Sequence, residues 1–174
     1  MKKPRRDPQL IEIAGRNWLV SQLIQCGIEV ATPERDKGVD LIAYVETQRF
    51  RACRIQIKVS TGSAFVAHRE QYDGMLMVYI WHIDKPQETV AFAMRTWQAR
   101  RIITANRWDK NQAWKRKNGY WRKSRVAVDS EFYKRYLQDR KMDMKKWKPT
   151  ILGASTSPAR KDNRSAPPRR PKLP

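Results

Sequence analysis

The chain has 174 residues, 37 Lys+Arg against 17 Asp+Glu, a formal net charge of +20 and a hydrophobic fraction of 40%. That length suits one domain with short extensions. Its longest apolar run, residues 75–81, falls well short of the ~18 residues a membrane span needs, so no membrane partner is expected.

The charge is unevenly placed. Residues 1–99 hold 14 basic and 11 acidic residues, residues 100–151 hold 17 and 5, and residues 152–174 hold 6 and 1. An excess gathered in one half of a chain points to a polyanionic partner, and nucleic acid is the expected one. Cys26 and Cys53 form no CxxC pair, and His68 and His82 are far apart, which argues against zinc and against a disulfide framework. Both cysteines read as small buried residues. The basic N-terminal residues have no apolar stretch behind them long enough for a secretory signal, so a cytoplasmic location is expected.

In chain order, residues 1–8 read as a basic arm. Leu10, Ile11, Ile13, Ala14, Trp18, Leu19, Leu23 and Ile24 form a helical stripe over 9–26, closed by Gly27. A short strand over 28–31, a polar turn over 33–38 and strands over 39–45 and 50–60 follow, the last two joined by a polar hairpin at 46–49. Residues 61–74 read as a polar connection, 75–83 as a strongly apolar strand, 89–94 as another, and 97–103 as the start of a helix. The pattern is poor from 104 to 123. A short strand is expected at 125–128 and a helix from 129 to about 144, with an acidic first turn and a basic last turn that suit its dipole. After Pro149 large apolar residues nearly vanish, and 152–174 reads as a disordered basic tail. The order of elements predicts an α/β or α+β domain with a sheet flanked by helices.

In the strand over 50–60, Cys53, Ile55, Ile57 and Val59 alternate with Arg54, Gln56, Lys58 and Ser60, giving one apolar and one polar face. Asp40 opens the preceding strand. In a hairpin Asp40, Gln56 and Lys58 can therefore converge on one side of the sheet. Phosphodiester hydrolysis uses such a group. A carboxylate and a second oxygen donor hold Mg²⁺. The metal neutralises charge on the phosphate and acidifies a bound water, and an ammonium orients that water or stabilises the transition state.

The segments Gly27-Ile28-Glu29-Val30, Gly38-Val39-Asp40-Leu41 and Ile55-Gln56-Ile57-Lys58 together resemble the core of the PD-(D/E)xK, or restriction-endonuclease-like, superfamily. The first helix, with Val20-Ser21-Gln22-Leu23 leading into Gly27, is similar to that of archaeal-type Holliday-junction resolvases. The resemblance spans roughly residues 10–95. It implies a restriction-endonuclease-like central mixed sheet and Mg²⁺ or Mn²⁺ as cofactor. It also implies metal ligation by Asp40, Gln56 and the carbonyl of Ile57, with Lys58 as catalytic lysine. Gln56 stands where the triplet usually has an acid, and Arg16 where resolvase-like members carry a glutamate. Glu12, one helical turn earlier, is the substitute ligand, although helical facing alone does not separate that role from an ordinary surface acid. Glu34 is a weaker candidate.

On this reading residues 9–103 form the nuclease-like core, and 104–151 a basic, aromatic-rich extension packed on it. Arg100, Arg101, Arg107, Lys110, Lys115, Arg116, Lys117, Arg122 and Lys123 are the expected phosphate contacts. Trp108 and Trp114 stand among them, and with Trp121 they serve either as base-stacking platforms or as core. Trp18 and Trp97 are expected in the core. His68 reads as a loop histidine. The sequence thus leads to a metal-dependent endonuclease acting on DNA rather than RNA, with homodimerisation open. The alternative is a non-catalytic nucleic-acid-binding protein of the same fold.

Overall fold

The computed structural model describes residues 7–35, 38–46, 50–69, 74–116 and 119–155. Most of the N-terminal arm, Lys117, the tip of the 46–49 hairpin and the tail beyond 155 lie outside the described residues.

Helix α1 spans Pro8–Gln25. Asp7 caps it by accepting from the Gln9 N–H at 2.9 Å, and Pro8 sits in the first turn, where no N–H is needed. The helix therefore begins inside the segment read as an arm. At its other end Gly27 adopts φ +67, the Gly27 N–H returns to the Ile24 carbonyl, and the Ile28 N–H to that of Leu23. This pair of bonds satisfies the last carbonyls and turns the chain into the sheet.

Strands β1 (Glu29–Ala31), β2 (Leu41–Val45), β3 (Arg51–Val59), β5 (Met75–Trp81) and β6 (Val90–Arg95) form one sheet in the order β1-β2-β3-β5-β6. All pairs are antiparallel except β3–β5, which is parallel. A parallel pair needs a long crossover, and here the crossover contains a strand. Residues 64–68, read as part of a polar connection, form β4 (Ala64–His68), which leaves the main sheet to pair with β7 (Tyr120–Ser124). Two buried side chains bind it across the sheet. The Tyr79 hydroxyl donates to the Val66 carbonyl at 2.8 Å, and the Trp81 indole to that of Ala64 at 2.7 Å. The protein is thus a mixed α+β structure with a central mixed sheet flanked by helices.

Every residue of β5 is buried, because the sheet carries a core on each side. On one side Leu76, Val78 and Ile80 meet Leu19 and Leu23 of α1 and Trp147 and Ile151 of helix α5 (Met144–Ser155). On the other, Met77, Tyr79 and Trp81 meet Phe65 of β4, Ile102 and Ile103 of helix α2 (Thr96–Ala105), and Phe132 of helix α4 (Glu131–Tyr136). Between α2 and β7 lie a 3₁₀ turn, Trp108–Lys110, and helix α3 (Gln112–Lys115).

Several expectations are corrected. The helix expected from 129 to 144 is instead α4, a 3₁₀ turn at Gln138–Arg140, and α5. Helix α5 runs through Pro149 to residue 155, so the first part of the presumed tail is helical. Burial of Trp147, Ile151 and Ala154 holds it there, against the roughly 3 kcal/mol an interior proline costs a helix. The short strand falls at 120–124, not 125–128. Trp97 is 48% exposed rather than buried. Cys53 is buried, but Cys26 is only half-buried.

The approach of α1 to β3 is unusually close. A Cβ on Gly15 would stand 2.3 Å from Val59 Cγ2, and valine, stiff at χ1, has little room to turn away. Gly15→Ala should therefore destabilise the fold. The gain in helix propensity is up to about 1 kcal/mol, whereas overpacking typically costs about 1–3 kcal/mol. Thermal denaturation should show a lower Tm for Gly15→Ala, with most of the loss recovered when Val59→Ala is added. A Tm unchanged or raised in the single variant would show that the contact is loose.

Candidate functional site

Strand β3 continues beyond the point where β2 begins, and this overhang builds the site. Leu41 pairs with Ile55 at the end of the ladder, and Asp40 lies one step before it. The Asp40 N–H donates to the Ile55 carbonyl at 2.9 Å. In an extended strand the N–H and C=O of one residue point to the same side, so those of Ile57 also point toward β2, which has run out there. The Asp40 side chain fills part of the gap: its Oδ2 accepts the Ile57 N–H at 2.6 Å. One carboxylate oxygen is thereby fixed to the backbone, and the Ile57 carbonyl is left on the same edge.

Leu41, Cys53, Ile55 and Ile57 belong to the core under α1 and α5. Gln56 and Lys58, out of phase with them along β3, are half-buried, as is Asp40 just ahead of β2. Glu12 and Arg16 of α1, on either side of the close approach at Gly15, meet them at the sheet end where β2 has run out. The result is a cavity of about 190 Å³ lined by Glu12, Arg16, Gly38, Asp40, Gln56, Ile57 and Lys58. Four expected site residues, Asp40, Gln56, Ile57 and Lys58, thus share one cavity with Glu12. Glu34 is exposed and outside its lining.

The cavity balances two carboxylates, Glu12 and Asp40, against two cations, Arg16 and Lys58. Among the described residues no group of three His, Cys, Asp or Glu side chains converges as a metal cluster. A cation held here would rely on the Gln56 amide oxygen and the Ile57 carbonyl beside Asp40 and Glu12. That all-oxygen set suits Mg²⁺, which keeps several of its own waters and needs only one or two carboxylates. It is too poor in carboxylates for a pair of ions.

Two lining or neighbouring groups escape a reading of sequence. Arg16 marks the expected place of a missing acid, yet its side chain lines the cavity. His68 stands at the end of β4, with its ring 5.8 Å from that of Tyr120, and close enough to Lys58 to feel its charge. Burial, and then the Lys58 ammonium, hold His68 below its ordinary value of 6.5. Recognising β4 as a strand from the short apolar run Ala64-Phe65-Val66-Ala67 is the signal that would have found it.

The expected nucleic-acid residues divide. Arg101, Arg107, Lys110, Lys115, Arg116 and Arg122 are exposed; Arg100 and Lys123 are half-buried. Trp108 stacks on Trp121 with ring centroids 5.5 Å apart and lies 5.6 Å from Phe132. Trp108, Trp114 and Trp121 all pack on the second core, so each has at most one free face. Tyr120, on the outer face of β7, is 53% exposed.

Comparison with known proteins gives no significant match to a family model, to a curated protein or to a solved structure.

The nearness of His68 and Lys58 is open to direct measurement. By NMR titration His68 should titrate below 6.5 in the native chain. In Lys58→Met its value should rise part of the way, since burial, the larger cause, remains. A value unmoved by that substitution would separate the two groups. Because the folded state disfavours the proton, stability from this group is intact above 6.5 and declines as pH falls below it, where the unfolded chain protonates first.

Proposed function

We propose that this chain is a metal-dependent endonuclease of the PD-(D/E)xK, restriction-endonuclease-like kind, cleaving phosphodiester bonds in DNA. The observation that carries the proposal is the single cavity lined by Asp40, Gln56, Ile57, Lys58 and Glu12. The element order also supports it: a helix, an antiparallel β1-β2-β3 meander, then a strand parallel to β3. The excess of basic residues after position 99 supplies the attraction to a polyanion.

Within this reading Asp40, the Gln56 amide oxygen, the Ile57 carbonyl and Glu12 of α1 would hold a divalent ion. Such an ion, when bound, supplies charge neutralisation at the phosphate and a more acidic water. The ammonium of Lys58 orients the attacking water and stabilises the charge that builds on the phosphoryl oxygens. Arg16 adds a planar, permanently charged donor pair suited to a phosphate oxygen edge. It does part of the charge neutralisation that a third carboxylate and its ion would otherwise do. His68, neutral at pH 7, leaves the charge of Lys58 undivided.

A second reading, a nucleic-acid-binding protein of this fold without catalysis, is favoured by Gln56 and Arg16, which leave two carboxylates in the cavity. Cleavage of duplex, single-stranded, branched and RNA substrates with Mg²⁺ or Mn²⁺ separates the two. Asp40→Ala and Lys58→Ala should each lower cleavage by about 100-fold or more while DNA binding without metal persists. Arg16→Ala should lower it by about 10-fold or more, with partial recovery in Arg16→Lys. Cleavage unchanged in both Asp40→Ala and Lys58→Ala rejects this site. No metal-dependent product on any substrate favours the binding protein.

A further inference from the structure

Helix α2 opens with an exposed tryptophan. Trp97 lies in its first turn, 48% accessible, although burying such a ring would stabilise the fold by about 2 kcal/mol or more. One turn on, Arg101 lays its guanidinium 5.8 Å from the centre of the Trp97 ring. Across from them, α4 and the 3₁₀ turn after it complete a cleft of about 380 Å³, where Trp97, Arg101, Arg135, Tyr136 and Arg140 meet. Arg135 in turn lies 5.4 Å from the ring centre of Tyr136. Among the described residues no carboxylate lines this cleft.

Arg140 is held in place rather than loose. Its Nη1 donates to the Tyr136 carbonyl at 2.7 Å, while its Nε is buried with no hydrogen-bond partner among the described residues. Gln98 and Arg140 also line a second cavity of about 440 Å³, into which Arg95 and Lys146 bring two more cations and Asp139 a single acid. The two cavities share Gln98 and Arg140, and this region gathers five basic side chains against one carboxylate among the described residues. It shares no lining residue with the cavity around Asp40.

Like charges gathered this way repel unless an anion joins them. Several guanidiniums gathered on one cleft suit a ligand with several linked anionic groups, and the exposed indole suits a ligand with a flat face. An anionic lipid surface offers charge but no flat ring, and it calls for a broad apolar face that α2 and α4, with their arginines, do not present. A duplex offers phosphates, but its bases present no face to stack on. An unpaired nucleic-acid strand offers both: phosphates for the arginines and bases that stack on an aromatic ring whatever their sequence.

We propose that the groove between α2 and α4 binds an unpaired strand of nucleic acid, with Trp97 stacked on a base and Arg101, Arg135 and Arg140 on the adjoining phosphates. The site stands independently of the cleavage reading. It gives the protein a means of engaging substrates that combine duplex and single-stranded parts.

The test is fluorescence anisotropy of the full chain, in EDTA, with a labelled oligothymidylate of about 20 nucleotides and a duplex of the same length, enough to span an ssDNA site. Trp97→Ala should weaken oligothymidylate binding by roughly 10-fold, with Trp97→Phe close to the native chain. Arg101→Gln with Arg135→Gln should lower the slope of log affinity against log salt by roughly one to two, at about 0.7 per phosphate contact. Duplex affinity should change by less than about twofold in Trp97→Ala, since a duplex has no base to stack. Native-like melting of the variants keeps the comparison valid, because Trp97 and the arginine heads are not core. Oligothymidylate binding unchanged in all variants overturns the proposal. Equal losses on both ligands also overturn it, in favour of a duplex surface. Since no divalent metal is present, the outcome is decided separately from any failure to cleave.

Discussion

The arrangement around Asp40 depends on how near α1 can come to β3. Gly15 carries no side chain where a Cβ would meet Val59 at 2.3 Å, and the helix settles against the strand at that point. Glu12 and Arg16, three residues before and one after, are thereby brought over the sheet end and into the cavity with Asp40, Gln56 and Lys58. A helix raised by even a methyl group would leave the strand residues as an open, polar ledge. The Asp40 carboxylate performs the complementary task within the sheet, where its bond to the Ile57 N–H holds the end of β2 to the overhanging part of β3.

The strand residues of the site are readable in the sequence because a strand's period is two. Cys53, Ile55 and Ile57 being apolar sets Gln56 and Lys58 out of phase with them, and the antiparallel pairing of Leu41 with Ile55 then brings Asp40 to the same end of the strand. Helix α1 is equally legible, since Leu19, Leu23 and Gly27 mark a stripe and a stop. What is not legible is long-range. Strand β4 has no polar alternation of its own, being covered by Tyr79 and Trp81, and its partner β7 lies more than fifty residues later. Pro149 signals a stop, yet the buried face of Trp147, Ile151 and Ala154 overrides it. Trp97 carries every sign of a core residue, and only the position of α4 decides that its ring stays in water.

Electrostatically the molecule has two characters. The Asp40 cavity is balanced, with two acids and two bases at close quarters. The groove beside α2 is strongly positive. A balanced cavity can take up a small cation without repelling it, whereas the groove attracts only anions. Among the described residues no helix is long and apolar enough to cross a membrane, and the helices next to the groove owe their burial to the sheet, not to a lipid phase.

The basic half of the chain is also half of the interior. Phe132 and Leu137 fill one core, Trp147 and Ile151 the other, and each comes from a segment whose outer surface is crowded with lysine and arginine. Self-repulsion on that surface is therefore strain borne by the folded state. A polyanion bound to that surface would relieve it and stabilise the folded state by mass action, so occupancy and conformational stability would be linked.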